Sequence, residues 1–333
     1  MTTIKTLFRT AAAAAALIVM ASGSVFAQAI AIGTNPQGTV FYSVGSAVGS
    51  KLTEALNRPV LAQPYAGSSV YLPLIENGEL ALGVSSTVDS ARVYNAEGDE
   101  RLGKLRSIAR LWPIRIAMAT RRADDIETIA DLEGKRVATT LTAQAQMREI
   151  ILMMLSLGGL SEDDVVASST GNVGQALQQL TEGSIDATLT AVGIPAVQQA
   201  NATISGGVRY IDLAGENTTA ENMDAIVAGT FPAPLTPDSN LAEVQEDITV
   251  ASWDIYLIGS ADMPDEEAGA IATAVYEAWE ELKSEVPALG ATQPAEIAAS
   301  GNAVPYHPGA IAAFQELGIW SAENDAQEAS FEQ

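Results

Sequence analysis

The chain lacks cysteine altogether, has one histidine, and sets only 17 lysines and arginines against 41 aspartates and glutamates in 333 residues. Without cysteine there is neither a disulfide nor a thiolate metal site, so an exported chain of this size must stand on its core alone. With His307 as the only histidine, serine–histidine or cysteine–histidine nucleophilic catalysis has almost no material. His307 lies in Pro305-Tyr306-His307-Pro308-Gly309-Ala310 at a predicted helix start, where a structural turn role is expected. The net charge of −24 repels nucleic acid and anionic membrane surfaces, so neither is an expected partner. A small anionic ligand stays compatible, because the field inside a cleft can differ in sign from that of the whole molecule. Gly33 to Gly38 has Walker-like spacing, yet Thr39 stands where the phosphate-binding lysine belongs, which argues against nucleotide hydrolysis. The acidic runs Glu162-Asp163-Asp164 and Asp265-Glu266-Glu267 fall at predicted helix starts and suit the helix dipole, and no D-x-D-x-D-G calcium pattern occurs. No enzyme, metal or cofactor is expected.

What is present begins with an export signal. Lys5 and Arg9 form a basic start, Ala11 to Met20 an apolar run, and Val25-Phe26-Ala27 a small-x-small cleavage site. Cleavage after Ala27 places the product in the periplasm and moves the net charge from −24 to −26 by removing Lys5 and Arg9. The apolar run is too short to span a bilayer comfortably, and no later stretch reaches the roughly 20 apolar residues of a membrane helix, so no membrane insertion is expected. Residues 33 to 45 then form a glycine-rich turn between the apolar run Ala29-Ile32 and a predicted helix over Tyr42-Leu56. Such a turn aims backbone N–H groups at whatever lies above the helix, or simply supplies backbone angles that other residues avoid.

Short apolar runs alternate with helical segments from there on: Val60-Gln63, Tyr71-Glu76, Ala81-Ser85, Val88-Asn95 and Leu105-Leu111, the rhythm of a mostly parallel sheet. A second set follows, with strands at Ile114-Thr120, Arg136-Thr140, Val165-Ser168 and Ile185-Thr190 and helices at Gln144-Leu157, Val173-Thr181 and Pro195-Asn201. Three prolines between Phe231 and Asp238 predict a loop. The strand Ile248-Ile258, an amphipathic helix over Asp265-Glu285 and a helix opened by Pro308 and stopped by Gly318 complete the pattern. Strands before Pro113 and near Trp253 would carry the chain between two lobes, giving a discontinuous first lobe of residues 28–113 and 255–333 and a second lobe of residues 114–254. Ligand would then bind between the lobes at the strand carboxyl ends.

The ordered set of motifs resembles the TAXI-type solute-binding proteins of tripartite ATP-independent periplasmic (TRAP) transporters. Ile32-Gly33-Thr34 through Gly38 with Phe41-Tyr42 and Gly45 looks like that family's opening, and Gly67-Ser68, Leu72 and Gly78-Glu79 are similar to its next turn and helix. Leu111-Trp112-Pro113, Ile129 to Val137, Ser184 to Ala187, Gly193-Ile194-Pro195 and His307 to Ala310 continue the series over nearly the whole mature chain. The resemblance implies an α/β, type II periplasmic binding protein whose two lobes close on a small-molecule solute and deliver it to the membrane permease subunits of a TRAP transporter. It implies a monomer without a cofactor. A sensory protein presenting its bound form to a receptor kinase is the alternative. The chain departs from the family at Ala143-Gln144-Ala145-Gln146, where a Gly-Ser-Gly-Thr turn is common, and at Ala81, where an aspartate is.

By this resemblance the first lobe offers Gly38, Thr39, Phe41, Tyr42, Ser68 and Ser69 to the ligand, with Ser86 and Thr87 beside them. The second lobe offers Gln144, Gln146 and Thr190, with Trp112 and Arg115 near the crossing. Ser86 and Thr87 equally suit a helix N-cap, and Trp112 equally suits hinge packing. Arg115, which alternates away from Ile114, Ile116 and Met118, either clamps a carboxylate or pairs with a surface acid. Hydroxyl, amide and helix-terminus donors favour a small organic carboxylate or amino acid.

Overall fold

Residues 29–96, 101–142, 147–238 and 241–331 are described by the computed structural model. The export signal, Gln144 and Gln146 lie outside these residues. The expected rhythm begins with β1 (Ile30–Thr34), α1 (Val40–Leu56), β2 (Val60–Pro64), α2 (Ser68–Glu76), β3 (Leu82–Ser86) and α3 (Thr87–Tyr94). β1 pairs in parallel with β2 on one side and β3 on the other. Its near-continuous apolar sequence suits a strand covered on both faces. Gly38, with φ of +87°, closes the turn from β1 into α1, a conformation that side chains with a Cβ avoid.

The segments on either side of Pro113 form one 17-residue strand, β4 (Leu105–Arg121). After it come β5 (Arg136–Leu141), α4 (Met147–Leu157), β6 (Val166–Thr170), α5 (Val173–Glu182), β7 (Ala187–Ala191), α6 (Pro195–Thr203), β8 (Val208–Tyr210) and α7 (Ala220–Ile226). The expected loop across the prolines is instead a strand, β9 (Thr230–Leu235), antiparallel to the long β10 (Ile248–Ser260). β9 pairs with β10 alone, and its Pro232 and Pro234 are two residues apart, so both imide nitrogens face away from the ladder, where no N–H is needed.

These strands form one sheet in the order β2-β1-β3-β10-β4-β7-β5-β6, with β8 on β4 and β9 on β10. β10 and β4 run antiparallel through both halves of it. On one side Ile255 to Gly259 of β10 pair with β3, and on the other Ile116 to Thr120 of β4 pair with β7. A register shift between Ile255 and Tyr256 leaves Leu111 without a partner opposite, so Arg110 faces the Asp254 and Tyr256 side while Trp112 and Ile114 face the other.

The helix expected over Asp265-Glu285 divides at Ala278 into α8 (Asp265–Glu277) and α9 (Trp279–Glu285). The break turns Trp279 into the core, where its indole N–H donates to the Thr292 carbonyl at 2.9 Å. α10 (Pro308–Glu316) begins at the histidine motif, Gly318 follows its end as expected, and α11 (Ala322–Ser330) closes the described chain. Among the described residues no helix is long and apolar enough to cross a membrane.

His307 is buried and caps α10: its Nδ1 accepts from the Gly309 N–H at 3.2 Å, while Nε2 lies 3.0 Å from the Met263 carbonyl, which fixes the neutral tautomer with the proton on Nε2. Burial lowers its pKa below the ordinary 6.5, more than the Met263 carbonyl and Asp265 raise it. The unfolded chain therefore takes up a proton near pH 6.5 that the folded ring resists, so this contribution to stability is present above that pH and is lost as pH falls through it. Melting curves from pH 7.5 to 5.5 are expected to fall more steeply for the native chain than for His307→Asn; parallel profiles would contradict this.

Candidate functional site

A cleft of about 320 Å³ opens at the carboxyl ends of β1, β3 and β7. Asn35, the residue after β1, borders it, as do Ser86 at the end of β3 and Leu189, Thr190 and Ala191 of β7. Ile114, Ile116 and Trp253 form its floor; Trp253 is the cross-strand neighbour of Ile114, so the paired long strands present one apolar face to the cavity. The amino ends of helices complete the wall. Phe41 is the second residue of α1, Val88 and Asp89 lie in the first turn of α3, Met147 and Val173 open α4 and α5, and Ile194 is the N-cap of α6. Helix amino ends carry a partial positive charge, about half a unit each, and free N–H groups.

Among the expected ligand residues, Phe41, Ser86 and Thr190 border this cleft together. The other expected residues that are described lie outside its lining. Thr39 is the N-cap of α1, accepting from the Tyr42 N–H at 3.3 Å and donating to the Pro36 carbonyl at 2.8 Å, and Gly38 is exposed beside it. Tyr42 borders a separate groove with Ser46 and Leu61, and its hydroxyl accepts from Gln37. Ser68 donates to Asp89 Oδ2 at 2.8 Å, and Ser69 is exposed on α2. Thr87 is buried, donating to the Gly229 carbonyl at 2.8 Å and accepting from the Asp254 N–H at 3.3 Å, so it ties α3 to β10 and to the segment before β9. Trp112 is buried and packs edge-on against Phe41 at 5.3 Å between ring centres, one layer behind the cleft. Arg115, half-buried, lies on the face of β4 opposite to Ile114 and Ile116, away from the cleft. Ser86 both borders the cleft and caps α3 through the Asp89 N–H at 3.0 Å, so the two roles weighed for it coexist.

Sequence reasoning passed over Asn35, Asp89, Ile114, Ile116 and Trp253. Asn35 was visible as the polar residue closing the first strand, and the alternation of Ile114 and Ile116 was visible too, but which face of that strand borders the cleft was not. Asn35 Oδ1 is buried without a hydrogen-bond partner among the described residues. Among the described residues no lysine or arginine borders the cleft, and Asp89 is its one ionisable group.

Residues 32–318 match the model of the NMT1-like family. The fold matches a TctC solute-binding protein from Polaromonas, at 14% identity and a TM-score of 0.55 over 78% of this chain and 87% of that one. It also matches MatC from Rhodopseudomonas palustris, solved with bound malate, at 16% identity and a TM-score of 0.50 over 90% of this chain and 98% of that one. A third match is XAC2383 from Xanthomonas citri bound to ATP, at 9% identity and a TM-score of 0.53 over 91% of this chain and 99% of that one. The mixed α/β fold, built on a central sheet, is the one these solute-binding proteins have.

Proposed function

This chain belongs to the NMT1-like family, and from that we propose that it is an extracytoplasmic receptor, not an enzyme, which captures a small organic acid or amino acid and delivers it to a TRAP-type permease. The observation that carries the reading is the cleft itself: helix amino ends from both halves of the sheet face one cavity across the two strands that the halves share. The lobes in this reading are residues 28–113 with 255–333, and residues 114–254. A solute touching Phe41 and Ser86 on one side and Thr190 on the other favours the closed arrangement by contacts that an open one lacks, the only way in which a ligand shifts such an equilibrium. The malate held by MatC supports an organic acid as one candidate, and the TAXI-like order of motifs supports the TRAP permease as partner.

Thermal shift of the chain, unfolded and refolded to strip carried-over solute, is the test. Against a library of organic acids and amino acids, a binder present at a hundred times its dissociation constant adds about 2.7 kcal/mol, a plain rise in melting temperature. A library that leaves the melting temperature unmoved would count against the receptor reading.

A further inference from the structure

The described lining of the cleft pairs one acid with a large apolar surface and offers no basic side chain. We infer that the solute is a zwitterionic α-amino acid with an aliphatic or aromatic side chain, and not a dicarboxylate; this rests on the receptor reading. Three features converge on it. The helix amino ends provide partial positive charge for one carboxylate. A second carboxylate would be repelled by Asp89 and would find no lysine or arginine in the described lining to neutralise it once water is excluded. Asp89 borders the cavity and already accepts from Ser68 at 2.8 Å, which leaves its carboxylate further lone pairs to offer. An ammonium group has three N–H donors and a positive charge, which matches what this carboxylate can receive. Ile114, Ile116, Leu189 and Trp253 then cover the side chain, where a hydrocarbon gains from leaving water and a charged group does not.

Isothermal titration of the refolded chain with L-leucine, L-phenylalanine, L-glutamate, L-malate and 4-methylpentanoate, the last being leucine without its amino group, tests the assignment. Leucine or phenylalanine is expected to bind at least tenfold more tightly than glutamate or malate. Asp89→Asn is expected to weaken leucine at least tenfold without weakening 4-methylpentanoate, because the partner lost is that of the ammonium alone. Should Asp89→Asn fail to fold, the native chain's preference for leucine over 4-methylpentanoate, expected to be at least tenfold, reads the same ammonium site. Tighter binding of glutamate or malate by the native chain, or leucine affinity indifferent both to Asp89→Asn and to loss of the amino group, would overturn the inference and leave the receptor reading standing. Binding of none of the five would overturn the inference and, with an unmoved library, the receptor reading as well.

Discussion

Asp254→Ala is expected to destabilise the protein by about 3–5 kcal/mol, the cost of leaving a buried cation without its partner. Asp254 and Arg110 face each other at 2.7 Å with side chains only 5% and 10% exposed. Burial pushes the Asp254 carboxyl above its usual range, against the pull of Arg110, while Arg110 is held charged by Asp254 against its own desolvation. Removing the carboxylate leaves the guanidinium with no compensating charge at that distance, and Arg110 Nε already lacks a partner among the described residues. The pair joins β4 to β10, the two strands common to both halves of the sheet, so the loss falls on the crossing itself. Replacing both partners with apolar residues of similar size, as in Arg110→Met with Asp254→Leu, is expected to restore most of the stability, because it removes the desolvated charges together. Denaturant midpoints at constant slope would report this. A single Asp254→Ala substitution within about 0.5 kcal/mol of the native chain, the range of ordinary surface changes, would show that the pair contributes little.

Gly309→Ala is expected to cost about 3 kcal/mol, at the upper end of what overpacking does, and to lower the melting temperature by several degrees. A Cβ at Gly309 would lie 2.0 Å from the backbone oxygen of Asp265 and 2.8 Å from its Cα, so no side-chain rotation can relieve the clash. α10 and α8 meet backbone to backbone here, since a Cβ on Gly269 would in turn lie 3.0 Å from the Gly309 oxygen. The two helices must part, and the seam of Ile271, Ala272, Ala313 and Phe314 loosens with them. Gly290→Ala, at a position with nothing within 4 Å, is the control and should change little. Equal melting temperatures for the two variants would refute the packing argument.

The same motif shows how far sequence reading reaches. His307-Pro308-Gly309-Ala310 announces a helix start, and α10 begins there with His307 as its cap. That its glycine exists for the approach of α8 is a tertiary fact, since Asp265 lies 44 residues earlier in the chain. The prolines between Phe231 and Leu235 are a second case. Proline says that a backbone donor is missing, but only the position of β9 at the margin of the sheet makes that loss harmless.

In the site, Phe41, Ser86 and Thr190 were legible because strand ends and the turns after them are where ligands meet this kind of sheet. Ile114, Ile116 and Trp253 were not, because an apolar residue on a strand carries the same local signal whether it faces a core or a cavity. Asp89, in the first turn of a helix, reads as a dipole partner whether or not a ligand also uses it.

The chain by itself determined its α/β rhythm, the places of most strands and helices, and the poverty of nucleophilic chemistry, because these depend on local periodicity and on which residue types exist at all. The tertiary structure decided which face of β4 and β10 meets the cleft. One unpartnered residue, Leu111, reverses the alternation between Arg110 and Trp112, and a bulge is settled by the pairing of two distant strands, which neither strand encodes alone.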